Sequence, residues 1–197
     1  TEFENIPFST LEYLEKKLIV RPSSSAVAVV QNRIIEKTFL IDNGIPVGPF
    51  FVIQALAQLN DVPSDIFPAI LKVAQFGYDG KGQIHVNNIA DLEIAYNYSG
   101  QVPCVLEKKL FLDLEVSVVL ARSHNGIQVY FPVAENKHID GILDISLAPA
   151  RIPASFVSMA KEYAHQIAVK LNYIGVMAVE FFIVDGKLYV NEIAPRP

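Results

Sequence analysis

The sequence predicts an α+β chain whose strands are mostly antiparallel. After residue 103, three β-type runs, "VPCVLEKKL", "EVSVVLAR" and "IQVYFPV", follow one another with no helical pattern between them. Two further pairs of apolar runs flank an Asp-Gly, at 79–80 and 185–186; this dipeptide closes type I′ hairpins because both residues accept φ > 0. One long helical stripe, over 154–173, lies among them. With 197 residues, 51% hydrophobic and 19% charged, the chain can bury a sizeable core.

Taken in order, "TEFENI" alternates like a short strand. Ser9 or Thr10 can cap a helix carrying Leu11, Leu14 and Leu18, with Glu12 in its first turn, and "RPSSS" breaks it. A second helix is expected from Ala26 to Asn43, stopped by Gly44 with Pro46 beyond. "PVGPFFVI" reads as a short strand or loop, "QALAQLN" as a short helix, and "PAILKVAQF" as a buried strand entering "GYDGKGQ". "ADLEIAYN" reads as helical. The β-type runs follow, then a loop holding "AENKHIDGIL". The helix over 154–173 sets Phe156, Met159, Ala160, Tyr163, Ala164, Ile167 and Leu171 at core-stripe spacing and ends at Gly175. "VMAVEFFIV", Asp185-Gly186 and "KLYVNEI" make the last hairpin. A natural division lies near 103–107.

A net charge of −5 and a pI near 5.3 exclude a protein that holds nucleic acid by bulk charge. Cys104 is the only cysteine, so no internal disulfide forms, which suits a reducing compartment. No apolar run reaches the roughly 18 residues of a membrane span. The chain opens at Thr1 and stops at Pro197 inside what reads as an element, so it is expected to be a fragment.

Several charges sit where apolar strands disfavour them. Lys72 interrupts "AILKVA", Glu107 follows "CVL", Glu115 opens "EVSVV", and Glu180 and Glu192 lie on the two strands of the last hairpin. A lone charge on an amphipathic strand is compatible with a solvated face. Glu180, however, has apolar neighbours on both sides, and a buried carboxylate has to be paired, protonated or bound to a metal. A two-residue loop sets Glu180 opposite Asn191; a three-residue loop over 185–187 sets it opposite Glu192. Facing carboxylates repel, and a hard divalent cation relieves that cost. An acidic hairpin without metal stays open beside this.

"GYDGKGQ" carries Gly77, Gly80 and Gly82 where a turn needs one glycine. Glycines let backbone N–H groups approach phosphate, and Lys72 and Lys81 supply positive charge. The pattern is neither GxxxxGK[ST] nor GxGxxG. Together with the Glu…Asn-Glu hairpin it outlines a nucleotide site of another kind.

"TEFENIP", "NRIIEKTFLIDNGIP", "LKVAQFGYDGKGQ", "EVSVVLAR", "FPVAENKHIDGIL", "NYIGVMAVEFF" and "VNEIAPRP" run nearly end to end. They resemble the ATP-grasp superfamily and, within it, the family of 5-(carboxyamino)imidazole ribonucleotide synthetases. The resemblance implies two lobes with mostly antiparallel sheets enclosing a nucleotide. Residues 1–30 would be the tail of an N-terminal nucleotide-fold domain and linker, 31–104 the small lobe with the glycine loop, and 105–197 the large lobe with the metal site. It also implies that most of the N-terminal domain is missing. So are a His-Asn-Ser-Gly-His run and a small domain after Pro197.

The same resemblance assigns roles. For ATP it implies Arg33 and Lys72 on phosphate or adenine-side groups. Gly77, Tyr78, Asp79, Gly80, Lys81, Gly82 and Gln83 would cover the phosphates. Glu107, Lys108, Lys109 and Leu110 would form an adenine-reading hinge, with Glu115 on the ribose, and His138, Asn191 and Glu192 complete the set. Glu180 and Glu192 would hold Mg²⁺, or Mn²⁺ in its place. Glu4, Tyr78, Asp79 and Arg196 would meet the imidazole ribonucleotide, and Lys72, Asp79 and Arg196 would carry catalysis.

The implied reaction phosphorylates bicarbonate with ATP to carboxyphosphate. It then carboxylates the amine of aminoimidazole ribonucleotide, releasing ADP and phosphate, in purine biosynthesis. The partners are these small molecules, with no nucleic acid or membrane, in a cytoplasmic homodimer of the full-length enzyme. Gly77 and Gly82 would make the hairpin a pliable lid that keeps water from carboxyphosphate. Another ATP-grasp ligase of purine biosynthesis, or an inactive nucleotide-binding module, are the alternatives.

Overall fold

The computed structural model describes residues 6–75, 77, 82–139 and 141–196. Among them, β1 (Phe50–Ile53), β2 (Ala69–Val73), β3 (Gln83–Val86) and β4 (Cys104–Lys108) form an antiparallel sheet in the order β1-β4-β2-β3. A larger antiparallel sheet takes β5 (Leu114–Arg122), β7 (Ala134–Ile139), β8 (Ile142–Leu147), β9 (Gly175–Val184) and β10 (Lys187–Arg196). Its order is β10-β9-β5-β7-β8, with β6 (Gln128–Tyr130) also on β5. The α+β class and two lobes are therefore as expected.

Each sheet closes its own core. Leu71 and Leu106 of the small sheet pack with Leu92 and Tyr96 of the helix Ile89–Tyr98; Val118, Val179, Phe181 and Ile193 of the large sheet pack with Ala164 and Ile167. The lobes divide differently from the 104/105 boundary. Strand β4 pairs with β1 and β2, so the small sheet runs on to Lys108. Ala26, Leu40 and Ile45, assigned in part to the small lobe, lie in the large-lobe core.

The helices are α1 (Phe8–Glu15), α2 (Ser24–Val30), α3 (Arg33–Asp42), α4 (Ile89–Tyr98) and α5 (Ala154–Lys170). Neither Ser9 nor Thr10 caps α1, which starts two or three residues earlier behind Pro7 and stops short of Leu18. The single helix expected over 26–43 is two. Asn32 Oδ1 accepts from Ile34 N (2.9 Å) and Ile35 N (3.3 Å), satisfying donors at the start of a new helix, so the chain restarts there. Helix α5 ends at Lys170, and Met159 of its stripe is 38% exposed rather than core. The expected loop "AENKHIDGIL" instead falls in the β7–β8 hairpin. Every residue of β8 is exposed, so no buried face wrote an alternation into its sequence.

Strands β2 and β3 pair Lys72 with Gln83. A two-residue Asp79-Gly80 turn, propagated in register, sets Lys72 opposite Asn87 instead. Thr1 to Asn5, Phe76, Tyr78 to Lys81, Asp140 and Pro197 lie outside the described residues, and with them the expectations for "TEFENI", Glu4, Tyr78, Asp79, Gly80 and Lys81. Gly82 is described, and its backbone conformation requires glycine. Its φ is +77° and an added Cβ would stand 2.7 Å from Val73 Cγ2. Gly82→Ala is therefore expected to lower stability by ~1–2 kcal/mol in denaturant titrations. Adding Val73→Ala should recover only the steric share.

Candidate functional site

The last hairpin turns through Asp185 and Gly186, both at positive φ (48° and 72°), with Val184 opposite Lys187. That is the two-residue loop, yet Glu180 faces Glu192. The reason is a bulge: Val190 pairs with Phe181, Glu192 pairs with Glu180, and Asn191 is the extra residue between them. Each expected register was thus half right. The signal was present in "LYVNEI": buried Leu188 and Val190 are two apart, but the next buried residue, Ile193, is three on.

The bulge assigns faces. Glu192, Glu180 and Ser117 lie in one cross-strand row of β10, β9 and β5. Glu115 shares that face of β5, and its Oε2 lies 2.8 Å from His138 Nδ1. The opposite face carries the core residues Val116, Val179, Phe181 and Ile193.

Burial pushes the Glu180 carboxyl up to about 7, and the charge on Glu192 pushes the same way. Arg33 Nη1 donates to Glu192 Oε2 at 3.2 Å, and Arg196 Nη2 lies 3.9 Å from Glu180 Oε1. Among the described residues no group of three or more His, Cys, Asp or Glu is arranged to hold a metal ion. The facing carboxylates Glu180 and Glu192 are the groups that could offer oxygens to a cation. That suits Mg²⁺, which takes one or two carboxylates and completes its shell with water and phosphate oxygens. The residues fit the ion.

A cleft of about 200 Å³ opens beside this face, lined by Lys37, Lys72, Glu107, Leu110, Phe182 and Asn191. In its lining Lys72 Nζ donates to Glu107 Oε2 at 3.0 Å, and Lys37 Nζ lies 3.2 Å from Oε1. Burial alone would raise the Glu107 carboxyl; the two ammonium groups outweigh it and hold the group at about 2. Lys108 and Lys109 also line the cleft. Thus Lys72, Glu107–Leu110 and Asn191 gather there, Arg33, Glu115, His138, Glu180, Glu192 and Arg196 gather on the polar face, and Gln83 pairs with Lys72.

Sequence reasoning missed Glu36 and Lys37. Both are 2% exposed. They follow Arg33 at i+3 and i+4 and precede buried Leu40, so two charges occupy the inward stripe of α3, and that pattern was readable. Lys37 points to β4 and Glu36 to β10, where Glu36 Oε1 accepts from Ile193 N at 2.6 Å.

Burial, aided by Glu192, raises Glu36 from 4.5 to about 8. A carboxyl raised in the folded state contributes stability that is complete below its unfolded value and is lost as pH rises through the folded one. The thermal midpoint of the wild type is therefore expected to fall between about pH 5 and 8. In Glu36→Gln, whose amide oxygen still accepts from Ile193, that slope should flatten. Parallel slopes would remove Glu36 as its source.

A family model described as the ATP-grasp domain matches residues 38–197. The chain belongs to the ATP-grasp family. This ATP-grasp chain is 38% identical over 196 residues to the N5-carboxyaminoimidazole ribonucleotide synthase of Pseudomonas aeruginosa, covering 99% of the chain and 54% of that protein. A solved N5-carboxyaminoimidazole ribonucleotide synthetase in complex with ADP superposes with a TM-score of 0.92 at 39% identity, covering 100% of this chain and 52% of that one. The Aspergillus clavatus synthase, solved with ADP and 5-aminoimidazole ribonucleotide, gives 0.89 at 25% identity, over 99% of this chain and 52% of its own. The chain spans about half the length of the curated relatives it matches. No helix among the described residues is long and apolar enough to cross a membrane.

Proposed function

We propose that the chain is the ATP-binding part of an enzyme that carboxylates 5-aminoimidazole ribonucleotide. ATP would phosphorylate bicarbonate to carboxyphosphate, and the ribonucleotide's exocyclic amine would take the carboxyl group, leaving ADP and phosphate. The observation that carries this reading is the facing pair Glu180 and Glu192 beside a cleft holding Lys72, in a chain similar from end to end to synthases of that name.

In this reading the backbone of Lys108–Leu110 meets the adenine edge, and Glu115, steadied by His138, accepts from the ribose hydroxyls. Lys72 and Arg33 neutralise charge developing on the phosphoryl oxygens, which is most of what phosphoryl transfer asks of a protein. The 77–83 segment covers the phosphates and excludes water. Arg196 meets the phosphate of the ribonucleotide. Glu180 and Glu192 would hold Mg²⁺, or Mn²⁺, which would supply positive charge to offset that of the phosphates. A homodimer of the intact enzyme, working in the cytoplasm, completes the reading.

The test is ADP release by the intact protein with bicarbonate, with and without aminoimidazole ribonucleotide. Release that requires the ribonucleotide is the expected result. Release that requires a different acceptor would point to a sister ATP-grasp ligase, and ATP binding without turnover to an inactive module.

A further inference from the structure

Among the described residues, two acceptors in the cleft have no hydrogen-bond donor. Glu107 Oε1 is buried with no hydrogen-bond partner; Lys37 Nζ stands 3.2 Å away but off the hydrogen-bonding direction. Asn191 Oδ1, on the opposite wall, is in the same condition. Buried acceptors are almost always paired, and each one left over asks for an explanation. Here the explanation is a ligand edge that donates.

We propose that Lys37 sets the base selectivity of this site, by holding Glu107 as a fixed acceptor that takes the 6-amino group of a purine and rejects a 6-oxo group. The inference rests on the nucleotide reading above and adds to it the residue that decides which base enters. An ionised carboxylate only accepts hydrogen bonds. A 6-amino group offers it two N–H donors, whereas a 6-oxo group brings lone pairs against it and leaves Oε1 unsatisfied.

Lys37 is needed because Lys72 alone does not fix the carboxylate plane. With a single ammonium at Oε2, the group can rotate about its terminal torsion, which is broad for glutamate. A second ammonium on the Oε1 side pins it. Lys37 is itself pinned, 2% exposed and with Nζ 5.6 Å from the centre of the Phe50 ring. Lys37 acts on the base through Glu107, so it is a positioning residue.

The experiment compares dissociation constants of the intact protein for ATP and inosine triphosphate, whose base is 6-oxo and has no 2-amino group. Wild type is expected to favour ATP by ~100-fold or more. Lys37→Met should narrow that ratio by about tenfold, and Lys37→Arg should restore it, since the guanidinium keeps the charge. Loss of a merely structural lysine would weaken both ligands alike and leave the ratio unchanged. A Lys37→Met protein that keeps the wild-type ratio would overturn the inference while leaving the nucleotide reading intact.

Wild type can also be tested without substitution. Purine riboside triphosphate, which has hydrogen at position 6, is expected to bind ~10-fold or more weakly than ATP. Equal binding would overturn the inference even if no Lys37 variant folds. Absence of any ATP binding by wild type would instead remove the nucleotide reading, and this inference with it.

Discussion

Replacing Glu107 by alanine is expected to cost about 3–5 kcal/mol, because breaking a buried ion pair leaves an uncompensated charge. Here it leaves two. The side chains of Lys72 and Lys37 are 8% and 2% exposed, and Glu107 is the carboxylate between them. In a domain of this size the loss corresponds to a fall of ~6–20 °C in thermal midpoint. The pH dependence identifies the cause. A carboxyl held at about 2 contributes stability that is complete above its unfolded value and is lost as pH falls through the folded one. The gap between wild type and Glu107→Ala should thus be full at pH 7 and close progressively in acid. Adding Lys37→Met to Glu107→Ala should recover part of it. A cost below ~1 kcal/mol would show that the ammonium groups find water unaided.

Glu180→Gln is expected to separate function from stability. Turnover of the intact protein should fall by ~100-fold or more, since the proposed function has this carboxylate hold charge at the transferring phosphoryl group. Stability without nucleotide should hold or rise above pH 7, because Glu180 no longer has to ionise in a buried position beside Glu192. Opposite signs are the mark of a residue kept for chemistry at a cost to the fold. ADP release measured beside the thermal midpoint checks both. A parallel loss of turnover and midpoint would make Glu180 a structural residue.

Local chemistry was the legible part of this fold. Asp185-Gly186 announced its turn because few dipeptides accept two positive φ values, and α5 announced itself by a stripe that packs on one sheet. The carboxylates at 115, 180 and 192 stood out because they interrupt apolar strands. What stayed hidden depended on distant partners or on competition within a segment. Asn32 splits an apparently continuous helix because its side chain competes for backbone donors. The β7–β8 hairpin has no buried face on β8 to produce a pattern. The inward spacing of Glu36 and Lys37 was readable, but not their partners, Ile193 and Glu107, which lie far along the chain.

The extra residue in β10 also has a genetic corollary. Loss of the codon for Asn191 would leave Val190 against Phe181, Glu192 against Glu180 and Ile193 against Val179, the pairing that already exists. The hairpin is equivalent to a regular one carrying a single inserted codon, and that insertion supplies an amide to the cleft without disturbing the acidic pair. Loss of the codon for Tyr189 instead would swing Val190 out of the core. In-frame indels two residues apart therefore have opposite consequences, and the parity of the strand decides which is tolerated.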